Sequence, residues 1–314
     1  QPASVGVTSI IQNIGKVTNS GVEIELDYNA FKNKDWSVSV GANATFVKNK
    51  IKNLPATMKE NGYISGSKKW LEGKSIYEFW LRQWHGVDPQ TGDGLYVADV
   101  SKYNQGNIGT GDGNITQSQF DEYKKTVVTI DGKELTNSYT YAKYDFSGSS
   151  IPDVFGGFNV RVSYKNFDLA AVFSYQLGGQ ILDTNYATMM SMTEFGYAQS
   201  PDLLKAWKQA GDITEVPRID NSAAHTTNIG QSYSTRWLTS SDYLNLRSVT
   251  IGYQFPKAWL SKVMLKSARL NLTAENLFML KARQGLNPMA NYSGVTYNEY
   301  MPSRNITLGL NVSF

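Results

Sequence analysis

The sequence predicts an all-β fold: a transmembrane antiparallel up-and-down β-barrel, of which residues 1–314 form the C-terminal portion. Three observations carry this expectation. Hydrophobicity alternates with a period of two in segment after segment. The connections between those segments alternate short and long. The last segment ends on an aromatic, Phe314.

From Asn305 to Phe314, Ile306, Leu308, Leu310, Val312 and Phe314 share one face, with Asn305, Thr307, Gly309, Asn311 and Ser313 on the other. About ten residues is the length of one strand crossing a bilayer. In chain order, the same alternation runs through Val22–Asn29, Trp36–Phe46, Phe158–Lys165, Asp168–Leu177, Ser248–Phe255 and Arg269–Glu275. A less regular pair covers Ile76–Val87 and Leu95–Val100. The total is about nine strands.

Short links are expected at Lys32–Asp35, Asp88–Gly92, Asn166 and Pro256–Lys266. Long ones are expected at Ile51–Ser75, Ser101–Pro152, Gly179–Asp242 and Ala282–Pro302. Their alternation puts every short turn on one rim and every long loop on the other, the asymmetry of outer-membrane barrels. A soluble sandwich also alternates along its strands. It has no reason to gather its long loops at one end, nor to charge one face on strand after strand. Bacterial single-chain barrels have even strand numbers, so an odd count implies at least one strand before Gln1. Val5–Ile14 reads as a loop because Gly15, Asn19 and Gly21 interrupt the pattern around it.

Composition narrows the function classes. Thirty basic residues against 27 acidic ones give a net charge of +3, too balanced for a nucleic-acid binder. Cysteine is absent, which excludes disulfides and thiolate metal sites. No apolar run is long enough for a membrane-spanning helix.

Five motifs then point to a family. Asn13-Ile14-Gly15-Lys16 through Asn19-Ser20-Gly21-Val22-Glu23, Gly86-Val87-Asp88-Pro89-Gln90-Thr91-Gly92, and Ile151-Pro152-Asp153-Val154-Phe155-Gly156-Gly157 resemble the SusC/RagA-type TonB-dependent transporters of Bacteroidota. So do Tyr243-Leu244-Asn245-Leu246-Arg247 with Gly252-Tyr253, and Thr273-Ala274-Glu275-Asn276-Leu277-Phe278. The resemblance implies a barrel of about 22 strands closed by an N-terminal plug. It implies TonB-driven import of a bulky oligosaccharide or peptide, and a SusD-like surface lipoprotein that caps the barrel. The plug and TonB box would lie upstream. The alternative is a non-transporting structural barrel in an envelope complex. An enzyme is not expected, because no nucleophile–base pair is visible among the strands. The location implied is the bacterial outer membrane, with long loops extracellular and the C-terminus periplasmic.

The candidate site residues follow from these expectations. Trp80, Arg82 and Trp84 alternate onto one strand face. Facing inward they would stack on cargo; facing outward, the preferred reading, the tryptophans would join an interfacial aromatic belt. Trp70, Trp207 and Trp237 in the loops would contact ligand or the lipoprotein cap, or pack the loops together, the commoner role of such rings. Trp36, Tyr164, Tyr253 and Trp259 are candidate membrane-interface anchors, Trp259 on a short amphipathic helix over Pro256–Val263. A second short helix is expected over Pro201–Gln209, with Asp202 near its start. Leu310, Val312 and Phe314 resemble the C-terminal signal read by the outer-membrane insertion machinery. His85, a rim residue, and His225, a loop residue, lie far apart without metal spacing, so no metal site is expected. Asp112-Gly113-Asn114-Ile115 before Phe120-Asp121-Glu122 lacks the ligands of an EF-hand. It leaves at most a looser calcium ion on that loop as the one cofactor considered.

Overall fold

The computed structural model describes residues 15–192, 196, 198–230 and 233–314. The Val5–Ile14 segment and the first two residues of the first motif lie outside them. Seven long strands make the main sheet: β1 (Lys16–Lys32), β2 (Trp36–Asn53), β3 (Val154–Tyr164), β4 (Phe167–Leu177), β5 (Tyr243–Gln254), β6 (Ser267–Glu275) and β7 (Asn305–Ser313). Each pairs antiparallel with its neighbour in chain order, and Met279–Lys281 extends the sheet beside the start of β5. Phe314 follows the last paired residue.

The expected strand pair at Ile76–Val87 and Leu95–Val100 is not part of this sheet. It breaks into Glu78–Arg82, Trp84–Val87 and Gly94–Val97, which belong to two smaller four-stranded sheets. The alternation there is genuine, since Phe79 and Leu81 are fully buried, but they face a protein core. Gln83 ends the first run: its backbone N–H turns to the Lys143 carbonyl (2.9 Å) and its side-chain amide donates to the Leu81 carbonyl (2.8 Å). Runs of four or five residues are too short to cross a bilayer. Asp88–Gly92 is likewise no rim turn. It is a tight loop in which the Asp88 carboxylate accepts from the Gln90 N–H (2.8 Å) and the Thr91 hydroxyl (3.0 Å). The expected long loops on either side merge into one excursion over 54–153.

With that correction the rims still alternate. Short links join β1 to β2, β3 to β4 and β5 to β6; long excursions over 54–153, 178–242 and 276–304 join the others. In the first turn the Asn33 side chain accepts from the backbone of Asp35 (2.9 Å) and Trp36 (2.7 Å). Lys165 takes the left-handed conformation (φ 52°) in the two-residue β3–β4 turn. The β5–β6 link carries the helix Lys257–Leu260 and a 3-10 turn over Ser261–Val263, with Trp259 exposed.

Register makes the two faces continuous. Tyr28, Val40, Val160, Ala171, Val249, Ala274 and Ile306 form one cross-strand row. One residue along, Asp27, Gly41, Asn159, Val172, Ser248, Glu275 and Asn305 form the next. The apolar face leaves Leu26, Ile306 and Leu308 about two-thirds exposed (65%, 67% and 69%). An apolar patch spanning seven strands is untenable in water and is what a bilayer covers. Next to the short turns, Trp36, Tyr164, Phe167 and Tyr253 form an aromatic row in register, with centroids 4.3 Å apart for Trp36–Tyr164 and 4.5 Å for Phe167–Tyr253.

The polar face holds an ion pair across three strands. Arg269 on β6 donates two hydrogen bonds to Asp168 on β4, both 2.7 Å, over Gly252 on β5. A Cβ on Gly252 would collide with this pair. Glycine is therefore needed here for close approach, not for its backbone freedom.

The excursions build a core of their own at the long-loop end. Phe79 and Leu81 from the first, Leu182, Met190 and Trp237 from the second, and Val295 from the third pack in one cluster. A second cluster on Tyr103, Ile115 and Tyr123 lies within the first excursion, beneath the helix Gln117–Thr126. The helix expected over Pro201–Gln209 is only a 3-10 turn, Pro201–Lys205. Beyond it the Trp207 N–H bonds to the Val216 carbonyl (3.0 Å), and the Asp212 carboxylate accepts from the N–H groups of Lys208 and Gln209 (3.0 Å each). These bonds pull the chain out of helical geometry.

Candidate functional site

The three excursions meet around Arg236, whose guanidinium lies over two indoles. Trp84 begins the strand Trp84–Val87 and Trp237 ends the 3-10 turn Thr235–Trp237, so Arg236 sits beside one ring in sequence and reaches the other in space. Its guanidinium carbon lies 4.6 Å from the Trp84 centroid and 4.3 Å from that of Trp237. Its one direct hydrogen bond to a described backbone group goes to the Ile229 carbonyl (3.1 Å). The Trp84 N–H donates to the Thr235 hydroxyl (2.9 Å), which ties the two segments together. Burial pulls the Arg236 pKa down to about 10, with Tyr96 and Tyr186 opposing it weakly.

Arg236, Trp84 and Trp237 line a cavity of about 370 Å³ that also touches His85, Tyr186 and Arg283. Tyr186 and Arg283 also border a second cavity, of about 450 Å³, walled by Asn185, Gln284, Asn287, Asn298 and Tyr300. Arg283 stacks on Tyr186 at 3.5 Å and is paired with the buried Asp183 (3.2 Å). Asp183 also caps the helix Thr184–Met189 by accepting from the Tyr186 N–H (3.1 Å). The two cavities are therefore neighbours across a charge-neutralised wall. Such aromatic and amide linings suit oligomeric polar ligands.

The other sequence candidates fall as follows. Trp80 and Trp84 do not join the interfacial belt, because neither lies on a sheet-crossing strand. The chain breaks at Gln83, so Trp80, Arg82 and Trp84 do not share one strand face either. Trp80 packs on Phe146 (4.9 Å) with Lys69 over its ring (4.1 Å). Arg82 donates through Nε to the Tyr139 carbonyl (2.9 Å) and lies against Tyr139 and Tyr144. Trp237 is only 1% exposed and packs the loops together. Trp207 anchors the Asp88–Gly92 loop by donating from its ring nitrogen to the Pro89 carbonyl (3.0 Å). Trp70 pairs with Tyr63 (5.4 Å) at the edge of a small sheet. His85 is exposed beside the cavity. His225, expected on a loop, is buried on the helix Ala223–Ile229, with Nε2 against the Arg218 carbonyl (2.8 Å). Among the described residues no group of three or more His, Asp or Glu could hold a metal ion. Around the Asp112 turn, Asp121 accepts from Gln117 and Glu122 pairs with Lys125.

No family model matches the chain. Over its whole length it is 28% identical to TonB-dependent receptor P3 of Formosa agariphila, covering 30% of that protein. Over 96% of its length it is 24% identical to TonB-dependent receptor SusC of Bacteroides thetaiotaomicron, covering 27% of it. The whole chain superposes on the RagAB peptide importer in its closed-closed state with a TM-score of 0.75 at 25% identity, covering 31% of that chain. In sequence and in fold the chain is similar to receptors of the SusC/RagA type. It spans about a third of the length of the relatives it matches. Those relatives are receptors and transporters rather than enzymes. On this likeness the main sheet is a segment of barrel wall, and the excursions stand at its long-loop rim.

Sequence reading missed Arg236 and Arg283. Arg236 carried one signal, its position next to Trp237. Arg283 carried none, because its partner Asp183 is 100 residues away in sequence.

Proposed function

We propose that this SusC/RagA-type chain is the C-terminal portion of an outer-membrane importer for a bulky oligosaccharide or peptide. The whole barrel has about 22 strands and an N-terminal plug, is energised through TonB, and works with a SusD-like lipoprotein. The free edges of β1 and β7 pair with strands from the rest of the barrel, since open edges do not persist in a bilayer. The long excursions face the outside of the cell and the short turns face the periplasm. Trp36, Tyr164, Tyr253 and Trp259 then sit at the inner interface of the membrane, and Leu310, Val312 and Phe314 present an apolar edge to the insertion machinery.

The observation that carries this reading is the two-faced wall: one apolar face in register across seven strands, one polar face behind it, and a pair of neighbouring cavities among the excursions at the long-loop end. Growth of a deletion strain on defined glycans and peptides, with binding by the purified full-length complex, tests it. Loss of growth on one cargo class is expected. Uniform growth would favour a non-transporting structural barrel.

A further inference from the structure

Arg236 differs from the other arginines near the cavities. Arg218 is paired with Asp93 and Asp220, and Arg283 with Asp183. Among the described residues no carboxylate pairs with Arg236. Its guanidinium carbon lies over the Trp84 and Trp237 rings, 4.6 Å and 4.3 Å from their centroids, and its N–H groups point outward in the guanidinium plane. One of those groups is committed to Ile229. Arg236 also lines the cavity. A planar guanidinium fork is the geometry that recognises a carboxylate with two parallel hydrogen bonds. Burial makes an uncompensated guanidinium costly, and an arriving anion relieves that cost. Glu215 also borders this cavity but is exposed and makes no ion pair with Arg236.

We propose that the cavity on Trp84, Arg236 and Trp237 receives the carboxylate of an acidic oligomeric cargo, while the chamber beyond Tyr186 and Arg283 holds the next units of its chain. This rests on the import reading and narrows it. The Tyr186 ring, stacked under Arg283, forms the step between the two chambers. Arg283 is already neutralised by Asp183 and serves as a wall. The side-chain amides of Gln284 and Asn298 and the NH2 group of Asn185 offer the hydrogen bonds that a neutral polar backbone needs, while the Asn287 amide is committed to Tyr300 and Met289.

The carboxylate has two sources, a uronic acid or a peptide C-terminus, and the test separates them. Calorimetry on the purified full-length transporter with its lipoprotein would compare a galacturonic acid tetramer with its carboxyl-reduced form, and a tetrapeptide with its C-terminal amide. One charged member should bind about tenfold more tightly than its neutral twin, equal to about 1.4 kcal/mol. R236M should abolish that preference, so that the charged and neutral twins bind alike. If R236M does not assemble, R236K, which keeps the charge but lacks the fork, should reduce the preference. Equal binding within both pairs, or a preference that survives these variants, overturns the proposal. Growth is read separately. Preference at Arg236 with uniform growth of the deletion strain would sink the import reading and keep the site. Cargo-dependent growth without any preference would do the reverse.

Discussion

Substituting Gly252 with alanine should destabilise the barrel wall through an ion pair that neither residue 252 nor its strand supplies. The added Cβ would stand 2.7 Å from both Asp168 carboxylate oxygens and closer still to the Arg269 guanidinium. Both side chains can swing away, so the backbone need not move, but the bidentate contact is lost. Two charge-assisted hydrogen bonds of 2.7 Å are at stake. The side chains of Arg269 and Asp168 are 37% and 30% exposed, so water screens part of the gain. The cost is about 1–2 kcal/mol after that discount. Urea unfolding in lipid vesicles, with G252A, R269A and the double variant, measures it. R269A should cost a similar amount, and the double variant no more than R269A alone, within about 0.5 kcal/mol. Additive costs would show that Gly252 is needed for something other than room under the pair.

Two further outcomes follow from the structure. Burial lowers the Lys68 pKa to about 7 against the pull of Glu78, with its ammonium over the Phe79 ring (3.1 Å). Folded Lys68 is therefore neutral above about pH 7, while the unfolded chain keeps its proton up to about pH 10.5. The unfolded state binds more protons in that window, so local stability rises with pH there, by a few kcal/mol at ~1.4 kcal/mol per tenfold difference in proton affinity. Below pH 7 it stays at its low level. Limited proteolysis of the first excursion should accordingly be slower at pH 9 than at pH 6, after correction for protease activity, and K68M should lose the difference. A pH-independent rate in the unsubstituted protein would refute this. At the other end, Phe314 is 80% exposed at the end of the row through Leu310 and Val312. F314D should lower the amount of barrel in the outer membrane, read by surface labelling, and unchanged levels would remove its assembly role.

The crossing strands were legible because a strand with lipid on one side and water on the other must alternate for about ten residues. Val22–Asn29 and Asn305–Phe314 are long enough to carry that pattern unambiguously. Glu78–Arg82 alternates for the same local reason, a buried and an unburied face, and only its partners reveal that the buried face meets protein. Strand length separated the two cases and was blurred by Gln83, which the eye reads through. The cavity was half legible. Its tryptophans stood out by type, but nothing local says that Trp84 and Trp237 share one guanidinium. That contact depends on the first and second excursions folding together, and a single sequence does not record contacts between distant segments.

The pairing of β2 with β3 has a consequence for the order in which the chain organises. Thr45 meets Phe155, so this seam closes only after the whole first excursion has been looped out. The β3–β4 hairpin needs two intervening residues. Yet the excursion is cinched near its base: Glu78 pairs with Ser149, and the Ser150 N–H donates to the Tyr77 carbonyl (3.3 Å). A chain that ties this knot first leaves about 30 free residues instead of about 100 to bridge the seam, which saves about 1 kcal/mol of closure entropy. The loop that lines part of the cavity is thus also a shortcut for wall assembly, and trimming it would slow the zipping of the barrel before it touched any cargo.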